Sequence, residues 1–315
     1  MPPSQSEPEA GEKARASAVS EKVSGAQTIA RAVSLLRAIA RGSSGGRRLK
    51  DLAAALGLPQ PTVHRILRAL VQEGLVAQDS SHGLYRIGPL AFEFGLASTW
   101  QSELIGICRP HTARLAAVSG DTAYLSLRSG VDTVCLDRAE GNYPIRAVTI
   151  EVGGRLPLGV GTGGVALLAA LDDDEINQVL SATVRDLQFH NGLTEAEVRA
   201  RISETRQNGL ADINDKPVSG VRGIGIAVPA HDGRPFLALA LAAISERIPD
   251  RRVPELRALL DDTARAISTA LEGRGTVRLD GVPRKPLVQT EQAAGARGVT
   301  PVAARQTRIW KRKSP

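Results

Sequence analysis

LKDLAAALGLPQPTVHRILR, residues 49–68, is the stretch whose reading decides this chain. Leu52, Ala53 and Leu56 recur at helical spacing, and Gly57 then supplies the backbone freedom of a sharp corner. Pro59 and Pro61 suit the start of a second helix, where a missing N–H costs nothing. Val63, Ile66, Leu67 and Leu70 carry the apolar stripe onward and pack back onto the first helix, whose small Ala53 permits close approach. Gln60, Thr62, His64, Arg65 and Arg68 are left facing outward, the donors and cations of a helix that lies in a DNA major groove. An ordinary helical hairpin with a basic solvated face shows the same short pattern.

The flanking sequence weighs between those two readings. LVAQDSSHGLYRIG, residues 75–88, gives two short runs of strand formers around a polar turn at residues 79–83, the wing of a winged helix-turn-helix. From it His82, Tyr85 and Arg86 are candidate contacts to phosphate or the minor groove. Upstream, Thr28 is a candidate N-cap for a first helix through Ile29, Val33, Leu36 and Ala40, stopped by the GSSGG run at residues 42–46.

The net charge is +7, and its distribution is uneven. Residues 27–90 carry nine basic and three acidic side chains, whereas residues 91–272 carry 18 and 24, and residues 273–315 carry ten and two. A basic DNA-reading segment on an acidic body is the footprint of a part that meets a polyanion and a part that does not. The basic tail is either a second DNA contact or a bystander extension.

With 42% hydrophobic but only 3% aromatic residues, the core is built from Leu, Ala, Val and Ile. The longest apolar run, residues 236–244, is nine residues and reads as a buried strand, far short of a membrane span. The first residues hold no apolar segment, so no signal peptide and a cytoplasmic location are expected. Cys108 and Cys135 lack metal-ligand spacing and read as buried reduced thiols.

Beyond the wing, residues 1–25 read as disordered, 26–88 as the winged domain, 89–103 as a linker helix, 104–272 as a second domain and 273–315 as a disordered tail. The linker's helical pattern (Leu90, Phe94, Leu96, Ala97) leaves an apolar face that needs a partner, and the same helix of a second subunit fits. After a helix over 104–118, strands are expected at residues 122–130, 132–141 and 146–152. A loop and helix over RLPLGVGTGGVALLAAL follow, then helices at 173–180 and 194–209, the latter opened by a Thr194–Glu197 capping box. Strands GIGIAVPA and FLALALAAI and a final helix to Leu271 complete an α+β domain.

In this order the pieces resemble the IclR family of bacterial transcription regulators. The resemblance rests on residues 50–76 with GLYRIG, on EVGGRLPLGVGTGGVALLAAL and on GVRGIGIAVPAHDGRPFLALALA. It implies a winged helix-turn-helix, a dimerising linker helix and a GAF-like domain that binds a small-molecule effector. The protein would then bind operator DNA as a homodimer or tetramer, with no cofactor and no membrane partner.

Gly159, Gly161 and Gly164 spell GxGxxG before an apolar helix, but Pro157 interrupts the strand a dinucleotide fold requires. What remains is a helix start whose N–H groups can bind an acceptor. In the resembled family this loop lines the effector pocket, which makes Thr162 and Gly163 backbone donors; a glycine-rich turn without a ligand is the plain alternative. Asn214 and Asp215 end a strand-like ADIND segment and are either effector-binding groups or an ordinary polar turn.

Members that bind small oxo-acids tend to place Cys and Ser on the strand pair, where this chain has Gly223, Ala240 and Ala242. An effector larger and more apolar than glyoxylate or pyruvate, such as an aromatic acid or lactone, is therefore expected. No histidine spacing, nucleophile elbow or calcium loop points to catalysis or a metal, and an enzyme is not expected. The competing reading is a sensor or enzyme whose helix-turn-helix does not act on DNA.

Overall fold

The computed structural model describes residues 24–41, 45–230 and 233–272. His231 and the basic tail lie outside the described residues.

The N-terminal part begins with α1 (Ser24–Ala40), which starts four residues before the expected cap at Thr28. A two-residue strand β1 (Arg47–Arg48) leads into α2 (Leu49–Leu56). Gly57 is left-handed at φ 64°, and the N–H of Leu58 returns to the Ala53 carbonyl at 3.1 Å, so the corner is closed within the backbone. α3 (Gln60–Gln72) follows, with Pro61 in its first turn. The wing is the antiparallel pair β2 (Val76–Asp79) and β3 (Leu84–Ile87), and β1 pairs with β3 on its other edge.

Leu35, Leu52, Leu67 and Val63 are fully buried between α1, α2 and α3. Tyr85 joins them: β3 turns it inward at 3% exposure, so it is a core residue and not the DNA contact expected from sequence. Strand alternation is the reason, since its neighbours Arg86 and Leu84 take the other face.

Gly88 leads into α4 (Pro89–Ala97), and Ser98 breaks the chain before α5 (Thr99–Ser119). The break falls earlier than the expected boundary at residue 104. The C-terminal part is built on a six-stranded, wholly antiparallel sheet in the order β6-β5-β4-β9-β8-β7. Its strands are β4 (Thr122–Ser129), β5 (Asp132–Ala139), β6 (Arg155–Pro157), β7 (Ala211–Asn214), β8 (Val221–Ala227) and β9 (Leu237–Ile244). Residues 146–152, expected as a strand, form an irregular loop; the pairing goes instead to β6, within the stretch expected as a loop. β6 meets β5 antiparallel, which rules out the parallel βαβ unit of a dinucleotide fold.

The two sheet faces are packed differently. Central β9 alternates Leu237, Leu239, Leu241 with Ala238, Ala240, Ala242. Its leucines go under α5 and α9 (Val253–Glu272), where Leu104, Leu115, Leu256, Leu260 and Ile267 meet them. Its alanines face α6 (Gly161–Ala169), a helix buried over residues 162–168. α7 (Asp173–Leu187) and α8 (Glu195–Asn208) pack outside α6. The Thr194 capping box forms as expected, with its hydroxyl and Glu197 bonded reciprocally.

Truncating Tyr85 to Ala should destabilise the winged domain by about 3–5 kcal/mol, whereas Arg68→Ala, exposed on α3, should stay within about 0.5 kcal/mol. Denaturant unfolding of both variants measures the contrast.

Candidate functional sites

Two sites emerge. On α3, Val63, Ile66, Leu67 and Leu70 are buried, and Gln60, His64, Arg65 and Arg68 are exposed with Thr62 half-buried. At 100° per residue Arg65 and Arg68 lie opposite the buried stripe, with His64 on one flank and Thr62 on the other. An open groove of about 230 Å³ runs between α3 and α1, lined among others by Arg31, Thr62, Arg65 and Glu73. His82 is at the exposed tip of the wing, where its ring and the Ser81 hydroxyl bond to the Asp79 carboxylate. These bonds, with those from the Ser81 and His82 amides, hold the Asp79 carboxyl well below the usual carboxylate range. Arg86 is half-exposed, with its guanidinium 3.4 Å from the Gly45 carbonyl. Arg48 and Lys50 are also exposed beside the wing, in a GRRLK stretch whose charge was visible in the sequence but whose place was not. Only the β1–β3 pairing brings them to this side.

The second site is the sheet face beneath the start of α6. Thr162 sits over two glycines of β8: a Cβ at Gly223 would lie 3.3 Å from its Cγ2, and one at Gly225 would lie 3.1 Å from its Cβ. A Cβ at Gly163 would lie 3.2 Å from the Ser126 hydroxyl of β4. Ala240, Ala242, Tyr124 and Cys135 form one buried cluster on this face with Ala147 and Ile150 of the loop over residues 140–154. No side chain caps the α6 start. Thr162, Gly163, Gly223, Ala240 and Ala242 are thus brought together as expected.

Asn214 and Asp215 are not brought there. Ile213 faces α6, so Asn214 points to the opposite face, where its side-chain oxygen accepts from the Ser245 hydroxyl at 2.7 Å. Asp215, at φ 64°, accepts from the Gly220 amide at 2.8 Å and closes the β7–β8 turn. Both act as an ordinary polar turn. The sequence reading also missed Tyr124, Ser126 and Cys135, so this face is richer in hydroxyl and thiol groups than Gly223, Ala240 and Ala242 alone imply. Period-two alternation from buried Leu125 was the available signal.

The Tyr124 hydroxyl donates to the Ala147 carbonyl at 2.6 Å and accepts from the Thr149 amide at 3.0 Å. Burial raises its phenol above the ordinary value and pushes both the Cys108 and Cys135 thiols up to about 12. Burial thus works against the thiolate form of both cysteines. Among the described residues no cluster of His, Cys, Asp and Glu is placed to hold a metal.

Comparison with known proteins bears on both sites. Residues 28–80 match the IclR helix-turn-helix domain, and residues 97–269 match the bacterial transcriptional regulator IclR C-terminal domain. The chain is 27% identical over 250 residues to the transcriptional repressor IclR of Escherichia coli K12, covering 78% of this chain and 90% of that one. Its fold is that of an IclR family regulator from Brucella abortus, with TM-score 0.62, 22% identity and coverage of 77% and 91%. An IclR homologue from Microbacterium hydrocarbonoxydans, solved with 4-hydroxybenzoate, shares the fold at TM-score 0.57, 19% identity and coverage of 78% and 99%. The two matched domains together span most of the chain, and the protein belongs to the IclR family of bacterial transcriptional regulators.

Proposed function

We propose that this DNA-binding regulator reads its operator with Arg65 and Arg68 of α3, flanked by Gln60, Thr62 and His64, and grips phosphate with His82 and Arg86 of the wing. The observation that carries this is the single outward face of α3, opposite a buried stripe and beside a wing that bears Arg86 and His82, with exposed Arg48 and Lys50 at its edge. Operator binding modulated by a small-molecule effector is the activity of its family. The DNA partner gives it a cytoplasmic place of work, and no described helix is long and apolar enough to cross a membrane. It acts by binding, with no catalytic step.

The working unit is a homodimer through α4. That helix buries none of its residues, and Phe92, Phe94 and Leu96 are 69%, 59% and 66% exposed. Phe92 and Leu96 lie on one side of this nine-residue helix and Phe94 on the other, and three exposed large apolar side chains on so short a helix favour a protein partner over water.

The effector site is the floor formed by Tyr124, Ser126, Cys135, Gly223, Ala240 and Ala242, with Thr162 and Gly163 at the α6 start and residues 140–154 as its roof. The floor offers apolar area, hydroxyl groups and uncapped N–H groups, which together suit an apolar body bearing an acid or carbonyl. The homologue solved with 4-hydroxybenzoate is consistent with an aromatic acid. The roof packs directly on the floor, so a ligand enters by displacing it.

Three outcomes test these roles. Arg65→Ala should lose about 1–3 kcal/mol of discrimination at one base position, while Arg86→Ala should weaken all duplexes alike and reduce the salt slope by about one; fluorescence anisotropy over a salt series separates the two. Replacing Phe92 and Phe94 with Glu should convert the dimer to monomer in sedimentation. Calorimetry should show aromatic acids binding with a negative heat-capacity change; binding confined to two- and three-carbon oxo-acids would overturn the effector reading.

A further inference from the structure

Directly after α1, Arg41 sends its guanidinium across to the C-terminal domain. Its Nε and Nη2 donate to the two oxygens of Asp132 at 3.3 and 2.5 Å, and its Nη1 donates to Asp186 of α7 at 2.6 Å. Asp132 is the first residue of β5 and its side chain is only 2% exposed. Arg155 approaches the same carboxylate from β6, with Nε and Nη2 at 3.4 and 3.1 Å. One buried carboxylate is therefore shared by a guanidinium from the effector domain and one from the DNA-binding domain. A forked guanidinium on a carboxylate is directional, so it fixes orientation as well as distance.

The effector-domain side of this cluster leads to the roof. Arg155 follows Gly153 and Gly154, whose backbone pairs with Cys135: the Cys135 amide donates to the Gly154 carbonyl at 3.0 Å, and the Gly153 amide donates to the Cys135 carbonyl at 2.8 Å. Those glycines end the roof loop that the Tyr124 hydroxyl holds. On the other side, α1 packs against α2 and α3 through Leu35, Ala38 and Ile39. Short chain segments and direct bonds thus connect the floor of the effector site to the helix-turn-helix.

We propose that Arg41 is a positioning residue for operator binding: it seats the DNA-binding domain on Asp132 and Asp186, and a shift of the roof loop reaches α1 through Arg155 and the shared Asp132. Moving β6 withdraws one of the two cations that compensate a buried carboxylate, which changes the pairing left to Arg41. The effector then acts by its different affinity for the two arrangements. Freeing the winged domains raises the ordering cost of placing two recognition helices in one operator, so loss of the clasp weakens binding. The direction of the signal rests on the effector-site reading; the coupling between Arg41 and Arg155 does not.

The test is a double-mutant cycle on the full chain without effector, using a duplex selected from random sequence by the wild-type protein. Arg41→Ala and Arg155→Ala should each weaken operator binding by about fivefold or more, and the double variant should be no weaker than the worse single one. Arg41→Lys should restore part of the loss, and the salt slope of Arg41→Ala should equal that of wild type. Additive effects, or singles within about twofold of wild type, would overturn the clasp. A salt slope lower by about one would overturn it too, because Arg41 would then be a phosphate contact. If Arg155→Ala fails to fold, Arg155→Lys completes the cycle. Coupling in the cycle together with no aromatic-acid binding by calorimetry supports the clasp and sinks the effector-site reading alone.

Discussion

The close approach of the α6 start to the sheet is the constraint on which the C-terminal domain depends. Thr162 lies against Gly223 and Gly225, and Gly163 lies against Ser126 and Ala238. A Cβ at Gly225 would be 2.9 Å from the Leu239 carbonyl of β9 and 3.1 Å from the Thr162 Cβ of α6, so a larger residue would have to displace both strand and helix. Gly223 and Gly225 of β8 and Ala238 of β9 answer that contact, while Ala240 and Ala242 pack under the loop over residues 140–154. The opposite face has no such visitor and is filled with leucines under α5 and α9. One strand therefore serves two purposes, a stiff hydrophobic core on one side and a surface of small side chains on the other.

The roof over residues 140–154 is governed by similar crowding. Its first anchor is Gly141, where a Cβ would fall 2.1 Å from the Gly120 backbone. Arg247 stacks on Tyr143 at 4.1 Å from the ring centroid while pairing with the buried Asp121 at 2.9 Å. Tyr124 holds the middle and Cys135 the end. An irregular segment with no ladder of its own, mostly exposed apart from Ala147, is thereby tied to the domain at its two ends and its middle. It is also the part of the floor's surroundings that is joined by few bonds, and such segments are where local rearrangement is least costly.

In the winged domain the scarcity of aromatics shapes the function as well as the core. Aliphatic side chains at helical spacing leave α3 with one narrow buried stripe, so the rest of its surface is free for polar groups. Tyr85 is the exception, an aromatic used to close the core under the wing. Its burial turns Arg86 outward, and the β1 pairing places Arg48 near the same edge.

Much of this was determined by sequence alone. The helix-turn-helix was legible because its periodicity, Gly57 and Pro61 are local signals that need no distant partner. The glycine-rich α6 start and the small residues at 223, 240 and 242 were legible for the same reason, with the family resemblance supplying their common purpose. Tertiary structure decided what depends on which face a strand turns inward. Residues 146–152 have strand-forming composition yet no neighbour to pair with, Tyr85 went to the core, and Asn214 turned away from the sheet face under α6 while Tyr124, Ser126 and Cys135 lie on it. A shift of one residue in register exchanges the two faces of a strand, and register is set by pairing across the sheet, which no single stretch of sequence contains.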